Sequence, residues 1–245
     1  MGQQKTCFVE SRINEVLERK ELAYDVVIVG MGVSGLYTAL NLPPDRKILM
    51  ICKEDMTECD SMLAQGGICV QHDDDDFDAF FEDTLRAGHY ENRKESVKIM
   101  IENSRAVIND LLEMGVKFDK EVDGSLKYTR EGAHSKPRIC FHKDITGKEI
   151  TETLLRCVKE CPNVTICDHT VMEDLLTEKN TCLGIVAKAA NGTILEIHAE
   201  NTILATGGIG GLYEHSTNFP SLTGDGCRIA EKHGVQLENM DYVQI

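Results

Sequence analysis

The sequence predicts an α/β fold: a central parallel sheet with helices on its faces and an additional β-hairpin or small sheet. Three observations lead there. First, two apolar runs, DVVIVG (25–30) and KILMIC (47–52), flank the amphipathic stretch SGLYTALNL (34–42), which makes one βαβ unit. Strands that are apolar throughout, rather than alternating, mark a parallel sheet covered on both faces. Second, Asn191-Gly192 separates two β-patterned runs, CLGIVAKA and TILEIHA, and Asn-Gly between such runs is a strong hairpin signal. Third, 42% of the 245 residues are apolar, enough for one large core or two small ones.

Each element has its own reason. Residues 10–22 read as a short amphipathic helix, with Val9, Ile13, Val16 and Leu17 on one side, in an N-terminal extension covering 1–24. The single domain is expected to run from 25 to 245. Pro43-Pro44 stops the helix 34–42. A loop of glycines and small residues spans 57–70. The four aspartates at 73–76 lack the alternation of a calcium loop. They read as a helix start, favoured at the positive end of the dipole, with Phe77, Phe80, Phe81 and Leu85 as its apolar face. A second amphipathic helix over 95–114 closes at Gly115. Helix 149–161, strand VTIC (164–167), the hairpin, strand NTILATGG (201–208) and a helix over about 224–233 complete the pattern, and YVQI begins a further element.

Composition removes several classes of function. A net charge of −15 and a pI near 4.9 argue against non-specific nucleic-acid binding, which needs basic surface. Ten cysteines include no pair at CxxC spacing, so neither a zinc nor an iron–sulfur site is indicated. Cys157, Cys161 and Cys167 read as small buried apolar residues. Thiols at this density suit a reducing cytoplasm. No apolar run approaches the ~20 residues of a membrane helix, and the charged N-terminus lacks the core of a signal peptide.

The motifs that carry chemistry are glycine-rich turns. Gly30-x-Gly32-x-x-Gly35 follows a predicted strand and opens a predicted helix, the placement that makes it a dinucleotide fingerprint. Gly30 allows the tight turn, Gly32 lets backbone approach a pyrophosphate, and Gly35 lets helix and strand close. Phosphate then meets free N–H groups at the helix start. The second strand ends in Cys52-Lys53, where a ribose-binding acid would stand in a plain NAD site; Glu54 comes one place late. Asp60, Ser61, Met62, Leu63, Ala64, Gln65, Gly66 and Gly67 form a loop suited to lie along a flat ring system. Ala205-Thr206-Gly207-Gly208 ends an apolar strand. In Thr223-Gly224-Asp225-Gly226, Asp225 can accept from a ribitol or ribose hydroxyl.

Taken in order, GxGxxG, AQGG, TREGxHS (129–135), DxTG (Asp144 to Gly147), ATGG and TGDG resemble the flavoprotein family of fumarate reductase, succinate dehydrogenase and L-aspartate oxidase. YTREGAHSKPRI and HKDITGKEI are most similar to its L-aspartate oxidase branch. The resemblance covers about 25 to 245. It implies a Rossmann-like FAD-binding domain. FAD would be held by Met31, Gly32, Val33 and Ser34, by Lys53, by Asp60 to Gly67, by backbone near Val171-Met172, and by Asp225. Asp60 stands where membrane-type relatives attach FAD through a His, so the cofactor is expected to be non-covalent. Glu131 resembles the acid that orients a substrate ammonium, with His134 a second candidate near substrate and Arg138 a structural ion-pair partner. The implied substrate is L-aspartate or another C4 dicarboxylate, with O2 or fumarate as acceptor and no metal. The alternatives are a soluble fumarate reductase or succinate-oxidising flavoprotein, and a non-catalytic FAD-binding module. The resemblance also implies further segments after Ile245, among them a capping domain and the cations for the substrate carboxylates. The natural protein is therefore expected to be longer, and this chain alone inactive.

Overall fold

The computed structural model describes residues 23–243, so the helix expected at 10–22 lies outside them. The described residues form two compact units, 23–60 with 154–243, and Ser61–Thr153.

The first unit holds a six-stranded sheet in the order β6-β2-β1-β9-β8-β7. Strands β1 (Ala23–Val29), β2 (Ile48–Ile51) and β6 (Val164–Cys167) pair in parallel, and β1 also pairs in parallel with β9 (Ile194–Leu204). Helix α1 (Val33–Asn41) connects β1 to β2, as the hydrophobic pattern required. β7 (Val171–Glu178), β8 (Thr181–Lys188) and β9 form an antiparallel meander.

Two features differ from the expectation. β7 was not foreseen, because VMEDLLTE alternates poorly; register shifts at Met172/Asp174 and Leu176/Thr177 disturb its pairing. The runs TILEIHA and NTIL, expected as two strands, are one strand of 11 residues. Its first part pairs with β8 and its second with β1, with His198 taking part in both ladders. β6 and β7 stand at opposite ends of the sheet order, yet only residues 168–170 join them, and the Thr170 N–H donates to the Cys52 carbonyl at 2.8 Å. The sheet must therefore curl back on itself. One buried cluster accordingly joins Val27, Val29, Leu49 and Ile51 of the parallel strands to Met172, Ile185, Leu195 and Ile197 of the meander. The alternate residues Val26, Ile28, Ile48 and Met50 are equally buried, on the opposite face. A Cβ at Gly35 would lie 3.3 Å from Ile28 Cγ2, so α1 packs on that face.

In the second unit α2 (Phe77–Ala87) and α3 (Lys94–Glu113) enclose Phe80, Leu85, Val97 and Ile101. A small antiparallel sheet, β3 (Ile68–Cys69), β5 (Ile139–Cys140) and β4 (Tyr128–Thr129), frames the segment rich in cations. Helix α4 (Thr146–Glu160) begins in this unit and ends in the first.

Candidate functional site

Three of the four glycine-rich turns meet in the first unit, at the carboxyl ends of parallel strands, where open α/β sheets bind ligands. Gly30 follows β1 with φ +109, and a Cβ there would sit 2.2 Å from the Ala205 carbonyl oxygen. Only glycine lets the first turn close on the ATGG strand end. Gly226 is matched to Thr206 in the same way, since a Cβ would lie 2.1 Å from Thr206 Oγ1. Gly32 is the N-cap of α1 and no side chain caps the helix, so its first turn presents backbone dipoles to whatever binds there.

Lys53, at the end of β2, is turned inward. Its ammonium donates to the Ser221 carbonyl at 2.9 Å, Thr223 Oγ1 at 2.8 Å and Asp225 Oδ2 at 2.7 Å, tying β2 to the start of α5 (Asp225–Lys232). Burial alone would raise the Asp225 carboxyl, but Lys53 outweighs it and holds the group below the usual carboxylate range. Asp225 Oδ2 is thus taken by Lys53 and Thr223. The sequence reading, which had Lys53 facing a cofactor, missed this internal clamp. An open cleft of about 380 Å³ runs beside it, lined by Lys53, Glu54, Glu58, Pro220, Ser221 and Thr223. Asp60 Oδ1 accepts from the Phe219 N–H at 2.9 Å. Val171 and Met172 begin β7, and the Met172 side chain is buried in the core, so that residue offers only its backbone for contact.

The fourth turn lies in the second unit. Ser61 and Met62 end a 3-10 turn, and Leu63 to Gly67 are exposed. Among the described residues, the amides of Ala64, Gln65, Gly66 and Gly67 donate to no group. A row of open N–H groups on a side-chain-poor loop fits the acceptor edge of a flat heterocycle. The DxTG motif supports that loop: Gly147 N donates to the Ala64 carbonyl at 2.8 Å, and a Cβ at Gly147 would fall 2.2 Å from the Ser61 carbonyl. Helix α4 opens at Thr146, three residues before its expected start, because Thr146 Oγ1 accepts from the His142 N–H at 3.0 Å.

Two of the four cations of 127–138, Lys136 and Arg138, serve buried carboxylates. Arg138 is fully buried and grips Asp76 with two hydrogen bonds, Nε–Oδ2 at 3.0 Å and Nη2–Oδ1 at 2.7 Å. Its Nη1 donates to Asp83 Oδ2 at 2.7 Å. Lys136 lies 3.6 Å from Asp76, and Arg86 donates to Asp83 Oδ1 at 2.6 Å. Burial would raise both carboxyls. The hydrogen bonds from Arg138 and the backbone to Asp76, and from Ser135 and Arg138 to Asp83, hold them well below their ordinary range. Residues 73–76 open a helix as expected, a 3-10 turn Asp74–Asp76 running into α2, but the carboxylates do more than start it. No side chain in that run caps α2; Asp76 is a buried counter-ion and Asp74 pairs with Arg105 at 2.7 Å. The signal was present in the sequence, since Asp76, Phe80 and Asp83 share one helical face at i, i+4 and i+7. Acids on an apolar stripe require a buried cation.

His134 is spent inside the protein. Nδ1 accepts from Arg138 Nη1 at 3.1 Å, which places the ring proton on Nε2, 3.3 Å from Cys69 Sγ. Burial and the Arg138 charge lower its pKa, keeping it neutral. Both ring nitrogens are thus engaged, and the geometry gives His134 a structural place where the sequence left function open. Glu131 differs. It is exposed, and its carboxylate has no partner among the described residues. It lies against the AQGG loop, with Oε2 3.1 Å from where a Cβ of Gly66 would be. The buried cation Arg138 is already matched by Asp76 and Asp83, and Glu131 enters no ion pair among the described residues.

A glycine-first βαβ turn with converging loops at the strand ends defines a dinucleotide-binding fold. The chain belongs to the FAD binding domain family, which it matches over residues 25–245. It is 48% identical over 220 residues to the L-aspartate oxidase of Clostridium acetobutylicum, and 45% identical over 221 residues to that of Clostridium perfringens. Each match covers 90% of this chain and 50% of the relative, so the chain spans half their length. Among solved structures it is similar to a quinol-fumarate reductase with menaquinol molecules (TM-score 0.83, 29% identity, 88% of this chain and 38% of that one). It is also similar to the E. coli quinol fumarate reductase (TM-score 0.82, 29% identity, covering 86% and 37%). Among the described residues no helix is long and apolar enough to cross a membrane, and no cluster of His, Cys, Asp or Glu could hold a metal ion.

Proposed function

We propose that the protein carrying this chain oxidises L-aspartate to iminoaspartate in the cytoplasm. Electrons pass to O2 or fumarate, in the first step of de novo NAD biosynthesis by way of quinolinate. Non-covalently bound FAD supplies the two-electron acceptor. The Gly30–Gly35 turn and the uncapped start of α1 would hold its pyrophosphate. Asp225 would take a ribose or ribitol hydroxyl, and the amides of Ala64 to Gly67 would meet the ring acceptors. Glu131 carries the choice of substrate. A free carboxylate against the cofactor loop attracts the α-ammonium of aspartate, a group that fumarate and succinate lack. The carboxylate of Glu131, which enters no ion pair or hydrogen bond among the described residues and lies against Gly66, is the observation on which this reading rests.

The test uses the full-length protein. Anaerobic addition of L-aspartate should bleach the flavin spectrum, and an unbleached spectrum would reject the assignment. Likeness to fumarate reductases favours a second reading, a soluble enzyme acting on fumarate or succinate. Glu131→Gln separates the two: it should lower kcat/KM for aspartate more than for fumarate reduction. Equal losses would favour the second reading.

A further inference from the structure

We propose that Asp83 is the positioning residue that keeps Glu131 against Gly66, and so sets selectivity for an amino-dicarboxylate over a plain dicarboxylate; this rests on the reading of Glu131 above. The arm 131–135 has no regular structure of its own. Four donors fasten it, directly or through a side chain, to one buried carboxylate on α2. Ser135 donates to Asp83 Oδ2 from both its N–H (2.6 Å) and its Oγ (2.7 Å). Arg86 Nη2 joins Asp83 Oδ1 to the Ala133 carbonyl, at 2.6 and 3.1 Å. Arg138 Nη1 reaches Asp83 on one side and His134 Nδ1 on the other.

Ala133 sits at φ +70, a conformation that an alanine keeps only when its surroundings impose it. Asp83 is 3% exposed, so the bonds to its carboxylate are partly shielded from competing water, while the Arg86–Ala133 bond lies at the surface. Glu131 itself is exposed and bonds to no other side chain among the described residues, which leaves the arm behind it to set where its carboxylate stands. The link is one of geometry: a carboxylate displaced by an ångström loses much of its hold on a small cation, and such misplacement can cost about a hundredfold in rate.

The experiment compares Asp83→Asn, Ser135→Ala and Glu131→Gln in the full-length FAD enzyme, assaying aspartate oxidation and fumarate reduction side by side. Asp83→Asn should raise KM for aspartate about ten- to a hundredfold, with a smaller effect on kcat. Fumarate reduction should change about twofold or less. Ser135→Ala should move aspartate KM the same way by less, because the backbone bond remains. Amide exchange across 131–135 should quicken in both variants. In the Glu131→Gln background, Asp83→Asn should add nothing to the aspartate defect, since its target is gone. An Asp83→Asn effect that persists in that background, or that falls equally on both substrates, overturns the proposal. Should Asp83→Asn fail to fold, Ser135→Ala decides, and an unchanged aspartate KM overturns it. If Glu131→Gln itself does not discriminate, the reading of Glu131 fails, separately from the clamp.

Discussion

At the scale of residues, charge is organised by burial more than by proximity in sequence. Arg138 and Glu131 stand seven places apart in one polar stretch, yet one is fully buried with two carboxylates and the other is exposed and unpaired. Arg138→Ala would leave Asp76 and Asp83 without their main cation and should destabilise the protein by about 3–5 kcal/mol. Lysine should not rescue it, because a point charge cannot serve two carboxylates with a rigid fork. Urea unfolding of both variants checks this. The same group predicts a pH dependence. Asp76 and Asp83 titrate lower in the folded than in the unfolded chain. Their contribution is therefore complete above the ordinary carboxylate range and is lost as pH falls through the folded values. His134 is also lowered, so its neutral form favours folding. Stability should begin to fall as pH drops below about 6.5 and fall more steeply below about 4. Asp83→Asn should flatten the steeper limb in an unfolding-midpoint series against pH. The partnership was only half legible in the sequence: a structural Arg138 was expected, but its partners lie 55 and 62 residues away.

At the scale of elements, the βαβ unit, α2, α3 and the Asn-Gly hairpin were readable because local periodicity and turn chemistry dictate them. The hairpin falls where Asn-Gly predicts it, though as a longer turn: only Gly192 is left-handed, at φ +83, and its N–H donates to the Ala189 carbonyl at 2.8 Å. β7 and the fusion of two runs into β9 were not readable. Alternation describes one sheet face at a time, whereas β9 changes partner, and pairing mode, midway. The two kinds of glycine give a contrasting prediction. Gly30→Ala drives a Cβ into backbone at 2.2 Å and should abolish FAD binding, scored by flavin absorbance after gel filtration of the full-length protein. Gly192→Ala meets open space and should cost only the left-handed backbone term, about 1–2 kcal/mol, with FAD retained.

At the scale of the whole molecule, cofactor and stability are linked. FAD binds only the folded state, so adding it to the apoprotein at about a hundred times its Kd should stabilise folding by about 2.7 kcal/mol, seen as a higher melting temperature. The chain spans half the length of its L-aspartate oxidase relatives, and oxidation of a dicarboxylate needs cations to fix both carboxylates. The sequence by itself determined the α/β class, the order of the glycine-rich turns and the family, since each is written in short contiguous stretches whose chemistry is local. Tertiary structure alone decided that Lys53 is held by Ser221, Thr223 and Asp225, that His134 is occupied, that Asp76 and Asp83 neutralise Arg138, and that Glu131 is left free. Those outcomes depend on which distant groups share a buried space, and burial is a property of the folded chain as a whole.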